Sequence, residues 1–312
     1  MHDRPAPPEP IFEQEILADD PPAAAAAAPP PRLAFAALML GNVVLAIGPW
    51  FVRMADVGPL ASGFWRLALA IPFLWLIALR SGQRFNALPP RLWRATILAG
   101  GFFALDLGFW HVGILHAKLA NATLFGNISS FFFAGYGFLV ARTLPGRWQA
   151  LAIALALVGT TLLLGRSYQL SADRLAGDLC CLAAGLSYAG YMIAVDRARA
   201  TLGTWPTLAI ATVAAAALLL PTAVLIEGSI WPHHWGPLLA LAIGSQVVGQ
   251  GLLVYAIGTL PPLVVGLALL TQPLVAAAIG WGVYGERLTP LDIVGALLIA
   301  TALVLVRRRP AG

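Results

Sequence analysis

Ten uninterrupted apolar runs, most of them about twenty residues long and joined by short polar links, leave this chain few ways to fold. They cover about 33–53, 59–79, 95–115, 118–140, 148–166, 175–196, 205–226, 236–257, 262–284 and 290–306. A run of that length crosses a hydrocarbon core of about 30 Å as an α-helix rising about 1.5 Å per residue. A helix also satisfies its own backbone hydrogen bonds, as lipid requires, and the alternating polarity of barrel strands is absent from the sequence. Only 11% of the residues are charged and 59% are hydrophobic. Soluble domains carry roughly 25% charged residues, so a water-exposed surface could not be covered. The expectation is an all-α membrane protein with ten transmembrane helices.

Short connections make successive helices antiparallel, so the loops alternate between two sides. One side collects Arg32, Arg80, Arg84, Arg91, Arg94, Arg142, Arg147, Arg197, Arg199, Arg307, Arg308 and Arg309, twelve in all. The other collects five: Arg53, Lys118, Arg166, Arg174 and Arg287. The positive-inside rule predicts that the first side is cytoplasmic, with both termini there. Trp50, Trp65, Trp75, Trp93, Trp148, Trp205, Trp231 and Trp235 fall near predicted helix ends, where aromatic belts sit, whereas Trp110 lies deeper. The formal charge of +5 belongs to these loops and reads as membrane orientation rather than nucleic-acid binding. A single lysine and an abundance of alanine suggest a GC-rich bacterial genome, and hence the bacterial inner (plasma) membrane.

Residues 1–32 are rich in Pro and Ala, show no secretory signal and read as a disordered cytoplasmic tail; residues 307–312 form a short basic tail. Cys180 and Cys181 are adjacent, point apart on a helix and read as packing residues.

The chain repeats itself. Shifting residues 112–145 by 145 aligns seven identical pairs, namely Gly113 with Gly258, Leu115 with Leu260, Leu124 with Leu269, Gly135 with Gly280, Gly137 with Gly282, Arg142 with Arg287 and Pro145 with Pro290. Asn127 also meets Gln272, and Tyr136 meets Trp281. Each half, 33–166 and 175–306, holds five spans. Five is odd, so the second half enters the membrane from the opposite side. This is the inverted repeat of secondary transporters, which bind substrate near the bilayer midplane.

The segment YGERLTPLDIVGALLIATALVLV, residues 284–306, resembles the signature end of an EamA repeat of the drug/metabolite transporter superfamily. The first copy, 112–164, keeps Arg142 and Pro145 but reads Val140–Ala141 where the second has Gly-Glu. The resemblance implies two inverted five-helix repeats around a central cavity, working by alternating access. It implies export of small metabolites, amino acids above all. The arrangement is most similar to the aromatic amino-acid exporter branch, with a broad-specificity drug/metabolite efflux carrier as the alternative.

Candidate substrate contacts are the polar and aromatic residues deep in the spans. Asp106 lies mid-membrane on helix 3, where a carboxylate costs roughly 3 kcal/mol or more and faces an interior. It binds a substrate amine or a proton, or it is protonated or capping and fixes packing only. Trp110 shares its face, and the repeat mate of Trp110 is Tyr255; the two rings either flank a substrate side chain or belong to the core. Asn127 on helix 4, Tyr191 on helix 6, Gln246 and Gln250 on helix 8 and Gln272 beside Pro273 on helix 9 complete the set. Amides and hydroxyls also join helix to helix in lipid, so each has a structural reading. Arg66, about seven residues inside helix 2, either snorkels outward or pairs with Asp56. His111 and His116 sense pH or anchor the interface, and His233–His234 resemble a metal pair only superficially.

No HExxH, intramembrane carboxylate pair or nucleotide-binding loop is present, so the expectation is a carrier and not an enzyme, with no cofactor. Its expected partners are a small-molecule substrate and the lipid bilayer, with no obligate protein partner evident.

Overall fold

The computed structural model describes residues 32–81, 89–116, 125–165, 175–284 and 289–308. Glu286 and Arg287 of the signature segment 284–306, Thr123, Lys118 and both expected tails up to residue 31 and from 309 lie outside the described residues. The helices are α1 Arg32–Met54, α2 Pro59–Arg80, α3 Pro90–His116, α4 Ile128–Ala141 and α5 Arg147–Gly165 in the first half. The second half has α6 Leu175–Leu202, α7 Thr204–Glu227, α8 Gly236–Ile257, α9 in two segments (Pro262–Leu269 and Thr271–Tyr284) and α10 Pro290–Arg308. Seven of the helices are long and apolar enough to cross a membrane, and Ile128–Ala141, Arg147–Leu162 and Pro290–Val306 are shorter apolar helices. The described chain is all-α.

Local chemistry sets the ends. Pro59, Pro90, Pro262 and Pro290 each open a helix, where the missing N–H costs nothing and the fixed φ suits the first turn. At α10, Thr289 donates both its backbone N–H and its hydroxyl to Asp292 Oδ2 at 2.7 Å, and the Asp292 N–H faces Thr289 Oγ1 at 3.4 Å. That reciprocal pair is a capping box. It gives Asp292 a structural task at the position where the first half carries Arg147. Gly203, at φ 77°, turns the chain directly from α6 into α7 in a conformation that disfavours other residues.

The helix packing repeats under exchange of each helix with the one five places along. The α3–α6 contact is matched by α1–α8, α3–α7 by α2–α8, and α4–α6 by α1–α9. The pairs α2–α7, α4–α9 and α5–α10 map onto themselves. A pseudo-two-fold relation between five-helix halves has this pattern, and the halves interleave rather than sit side by side. Small residues permit the close crossings: a Cβ on Gly100 of α3 would lie 2.5 Å from the Ala211 carbonyl oxygen of α7.

Three spans depart from plain α-helix. Helix α8 is π-helical over Leu241–Gly249. The hydrogen-bonding pattern of α9 is interrupted at Leu270, three residues before Pro273, whose ring cannot coexist with an undisturbed turn before it. In the first half the chain makes a turn at Asn127 just before α4. Asn127 and Gln272 are repeat mates, so both halves interrupt the same helix at nearly the same place.

Candidate functional site

Where α2, α3, α6, α7 and α8 meet, polar side chains gather that no isolated apolar helix would tolerate. The guanidinium of Arg66 does not reach Asp56. It turns inward, its Nε donating to Gln246 Oε1 at 3.1 Å and its Cζ lying 5.7 Å from the centre of the Phe103 ring. Asp56 is taken instead by the loop after α7, accepting from the His233 and His234 amides at 2.8 and 3.1 Å. Both sequence-based expectations for Arg66, outward snorkelling and pairing with Asp56, are therefore corrected. The bonds from the loop after α7 hold the Asp56 carboxylate at that loop, while Gln246 and the Phe103 face hold the Arg66 guanidinium inside.

From Arg66 the network continues. Gln246 Nε2 donates to Thr212 Oγ1 at 3.0 Å. One turn on, Gln250 accepts from the Tyr191 hydroxyl at 3.5 Å and its amide nitrogen faces the Tyr188 hydroxyl at 3.4 Å. The Phe103 and Tyr191 rings stack with centroids 4.6 Å apart, and Tyr188 stacks on Tyr191 at 5.7 Å. Gln246, Gln250 and Tyr191 are buried. Amides bonded at both oxygen and nitrogen in this way rigidify a helix junction, and each bond is worth roughly 0.6 kcal/mol between helices in lipid. Gln246 lies in the π-helical stretch, a feature frequent at functional sites.

Asp106 faces the same cluster from α3. It is half-buried and interacts electrostatically with Arg66, Tyr188 and Tyr191. Yet Arg66 and Asp106 do not touch: among the described residues the direct ion pair is His234 with Asp56. Trp110, one turn beyond Asp106, brings its indole nitrogen to 4.0 Å from where a Cβ on Gly126 would stand, beside the turn at Asn127. A second, smaller cluster sits at the α9 interruption. There Asn42 Nδ2 donates to the Ala268 carbonyl at 2.8 Å, Thr271 Oγ1 donates to the same oxygen at 2.7 Å, and Gln272 Nε2 donates to Asn42 Oδ1 at 3.3 Å. These side chains attend a carbonyl next to the interruption.

Of the residues singled out from sequence, Asp106, Tyr191, Gln246 and Gln250 come together in one cluster. Trp110 and Asn127 lie at the α4 turn, and Gln272 joins Asn42 in the second cluster. Tyr255 stands apart from both clusters, 37% exposed on α8. Arg66, Phe103, Tyr188 and Thr212 belong to the network beside them. Arg66 carried the readable signal, an arginine deep in a span. Among the described residues no group of three or more His, Cys, Asp or Glu side chains is placed to hold a metal ion.

Comparison with known proteins agrees with this architecture. The model of the EamA-like transporter family matches the chain twice, over residues 32–165 and 175–308. The threonine/homoserine exporter RhtA of Escherichia coli (strain K12) is 34% identical over 155 residues, 48% of this chain and 52% of that protein. The threonine/homoserine exporter RhtA of Salmonella typhimurium (strain LT2) is 30% identical over 166 residues, 51% of this chain and 55% of that protein. The chain thus spans about half the length of the curated relatives it matches. A solved crystal structure at 20% identity superposes with a TM-score of 0.72 over 88% of this chain and 96% of its own, a likeness of fold.

Proposed function

The chain belongs to the EamA-like transporter family, and we propose that it is a secondary carrier that exports amino acids and related small metabolites by alternating access. The carrying observation is the cluster of Arg66, Asp106, Gln246 and Gln250 on three helices, α2 and α3 of the first half and α8 of the second. Alternating access needs a site that both halves grip, because rocking one half against the other then exposes it to each side in turn. Residues 33–166 and 175–306 are the two repeats in this reading. The protein lies in the bacterial inner membrane with both termini in the cytoplasm, as the arginine asymmetry favours. The relatives named above are threonine/homoserine exporters, which supports an amino-acid cargo. The stacked Phe103, Tyr191 and Tyr188 rings favour a second reading within that class, in which aromatic amino acids and other flat metabolites are also carried.

Cells loaded with a threonine- or phenylalanine-containing dipeptide test the proposal. An expressing strain should release the free amino acid faster than a strain without the protein and hold less of it inside. Equal intracellular levels of both amino acids in the two strains would overturn the export reading.

A further inference from the structure

The described interior holds an arginine and an aspartate, Arg66 and Asp106, that come near one another without touching. Arg66 is tethered by its Nε to Gln246, which is itself held by Thr212, and its guanidinium rests on Phe103. Among the described residues, no side chain or carbonyl accepts a hydrogen bond from its two terminal nitrogens. Asp106 lies one turn beyond Phe103 on the same face of α3, is half-buried, and receives a hydrogen bond from no described side chain. In a low-dielectric interior an unopposed attraction would draw two such groups into a bidentate pair. The tether to Gln246 and the Phe103 ring hold the cation away.

The geometry points to a zwitterion clamp: Arg66 receives the α-carboxylate and Asp106 the α-ammonium of a free α-amino acid bound between them. The idea rests on the amino-acid export reading and narrows it to molecules with both α-groups unblocked. An α-amino acid carries its two charges on adjacent groups, so one molecule answers both poles. A planar guanidinium with its outer nitrogens free matches a carboxylate in bidentate fashion, and an ammonium offers three N–H donors, one or two of which a single carboxylate accepts. The side chain then lies toward Tyr191 and Tyr188, with Gln250 bonded to both hydroxyls. Such a clamp selects for the backbone of the cargo and leaves its side chain loosely specified, which suits a carrier of several amino acids. Arg66 is a binding residue in this account and Gln246 a positioning residue.

The purified full chain in proteoliposomes tests it with three probes for each of threonine and phenylalanine: the free amino acid, its methyl ester and its N-acetyl derivative. The wild type should carry the free amino acid at least about tenfold better than either blocked form, as loss of one charge-assisted contact predicts. Arg66→Gln should lose most transport of the free acid while carrying the methyl ester as well as the wild type does. Asp106→Asn should do the converse, sparing the N-acetyl derivative. Arg66→Lys should restore part of the preference for the free acid, which a variant that merely failed to fold would not. Ligand-induced shifts in melting temperature with the same probes give the binding readout where transport is lost.

If the wild type carries free and blocked forms alike, or if Arg66→Gln and Asp106→Asn proteins that melt as the wild type does leave the selectivity unchanged or reduce all three probes equally, the clamp is overturned and amino-acid export stands. If the wild type carries neither free amino acid, the clamp falls together with the export reading.

Discussion

The molecule is fastened at both ends, but by different chemistry. At the end where α1 meets α2, the Glu227 carboxylate accepts from the Leu60 and Ala61 amides at 2.7 and 2.9 Å, capping α2 from the far end of α7. Trp65 donates its indole N–H to the Ile230 carbonyl at 2.6 Å and packs on Trp231 and Trp235 with ring centres 5.2 and 4.9 Å away. Asp56 ties the loop after α7 to the loop before α2. At the end where α6 meets α7, the Tyr136 hydroxyl faces Asp196 Oδ2 at 3.1 Å and Arg197 lies 5.9 Å over the Tyr136 ring. The Arg199 guanidinium fills the space above Gly258, so close that a Cβ there would overlap it, and its Nε is buried with no partner. The first clasp joins carboxylates to backbone amides that no other residue satisfies. The second joins side chain to side chain and leaves a donor unpaired. An end held by satisfied backbone caps resists parting, and an end held by exchangeable side chains parts readily. Under the proposed alternating-access reading, the α6–α7 end is the readier one to open from the conformation described here.

The largest effect should come from Glu227. Replacing it with Ala strips the acceptor from two amides at the start of α2, a cost of about 2 kcal/mol by the usual worth of charged caps. Glu227→Gln, which keeps one acceptor oxygen, should cost less. Thermal unfolding of the protein in lipid nanodiscs reads this directly. A Glu227→Ala protein that melts with the wild type would show that the carboxylate does not hold this end.

Tyr136→Phe should have a smaller effect, near 1 kcal/mol or less, because it removes one hydroxyl from Asp196 and keeps the ring under Arg197. It should also speed the opening of that end, seen as faster reaction of a cysteine placed at position 200 with a water-soluble maleimide. If Tyr136→Phe destabilises more than Glu227→Ala, the ranking of the two clasps is reversed.

The same contrast explains what could be read before the structure was known. Helices and their antiparallel order follow from lipid's demand on the backbone, so the spans and the repeat were legible in runs of Leu, Ala and Val. Intramembrane Asp106, Gln246 and Gln250 were legible because polar groups there are costly. The partners were not. Glu227 reads as an ordinary charge at a helix end, and its contact with Leu60 crosses 167 positions. Arg66 was visible, but Asp56, ten residues away, looked like its partner until the loop after α7 claimed it. Tyr255 matches Trp110 by repeat yet joins neither polar cluster. The π-helical stretch of Leu241–Gly249 alters the rotation of everything after it in α8, and the matching helix α3 has no such stretch. Hydropathy carries no signal for that change of register.

The smallest effect concerns pH at the tighter clasp. Loss of solvent pushes the Asp56 carboxyl up, but the bonds it receives from the His233 amide, the His234 ring, its own amide and that of His234 outweigh this and hold it below its ordinary value of 3.8. A group whose value is depressed in the fastened state stabilises that state fully above 3.8, and the contribution disappears as pH falls through the lower, fastened value. Acid should therefore loosen this end only below the ordinary carboxylate range. Trp65, Trp231 and Trp235 make the change visible, since parting the loops unstacks the three rings and shifts their emission. Asp56→Asn keeps an acceptor oxygen and removes the titration. The difference between wild-type and Asp56→Asn emission curves, from neutral pH down to about 2, isolates the contribution of Asp56 from other acids that titrate in both proteins. Superimposable curves would mean that Asp56 holds its loop by position alone and that its charge plays no part in keeping this end shut.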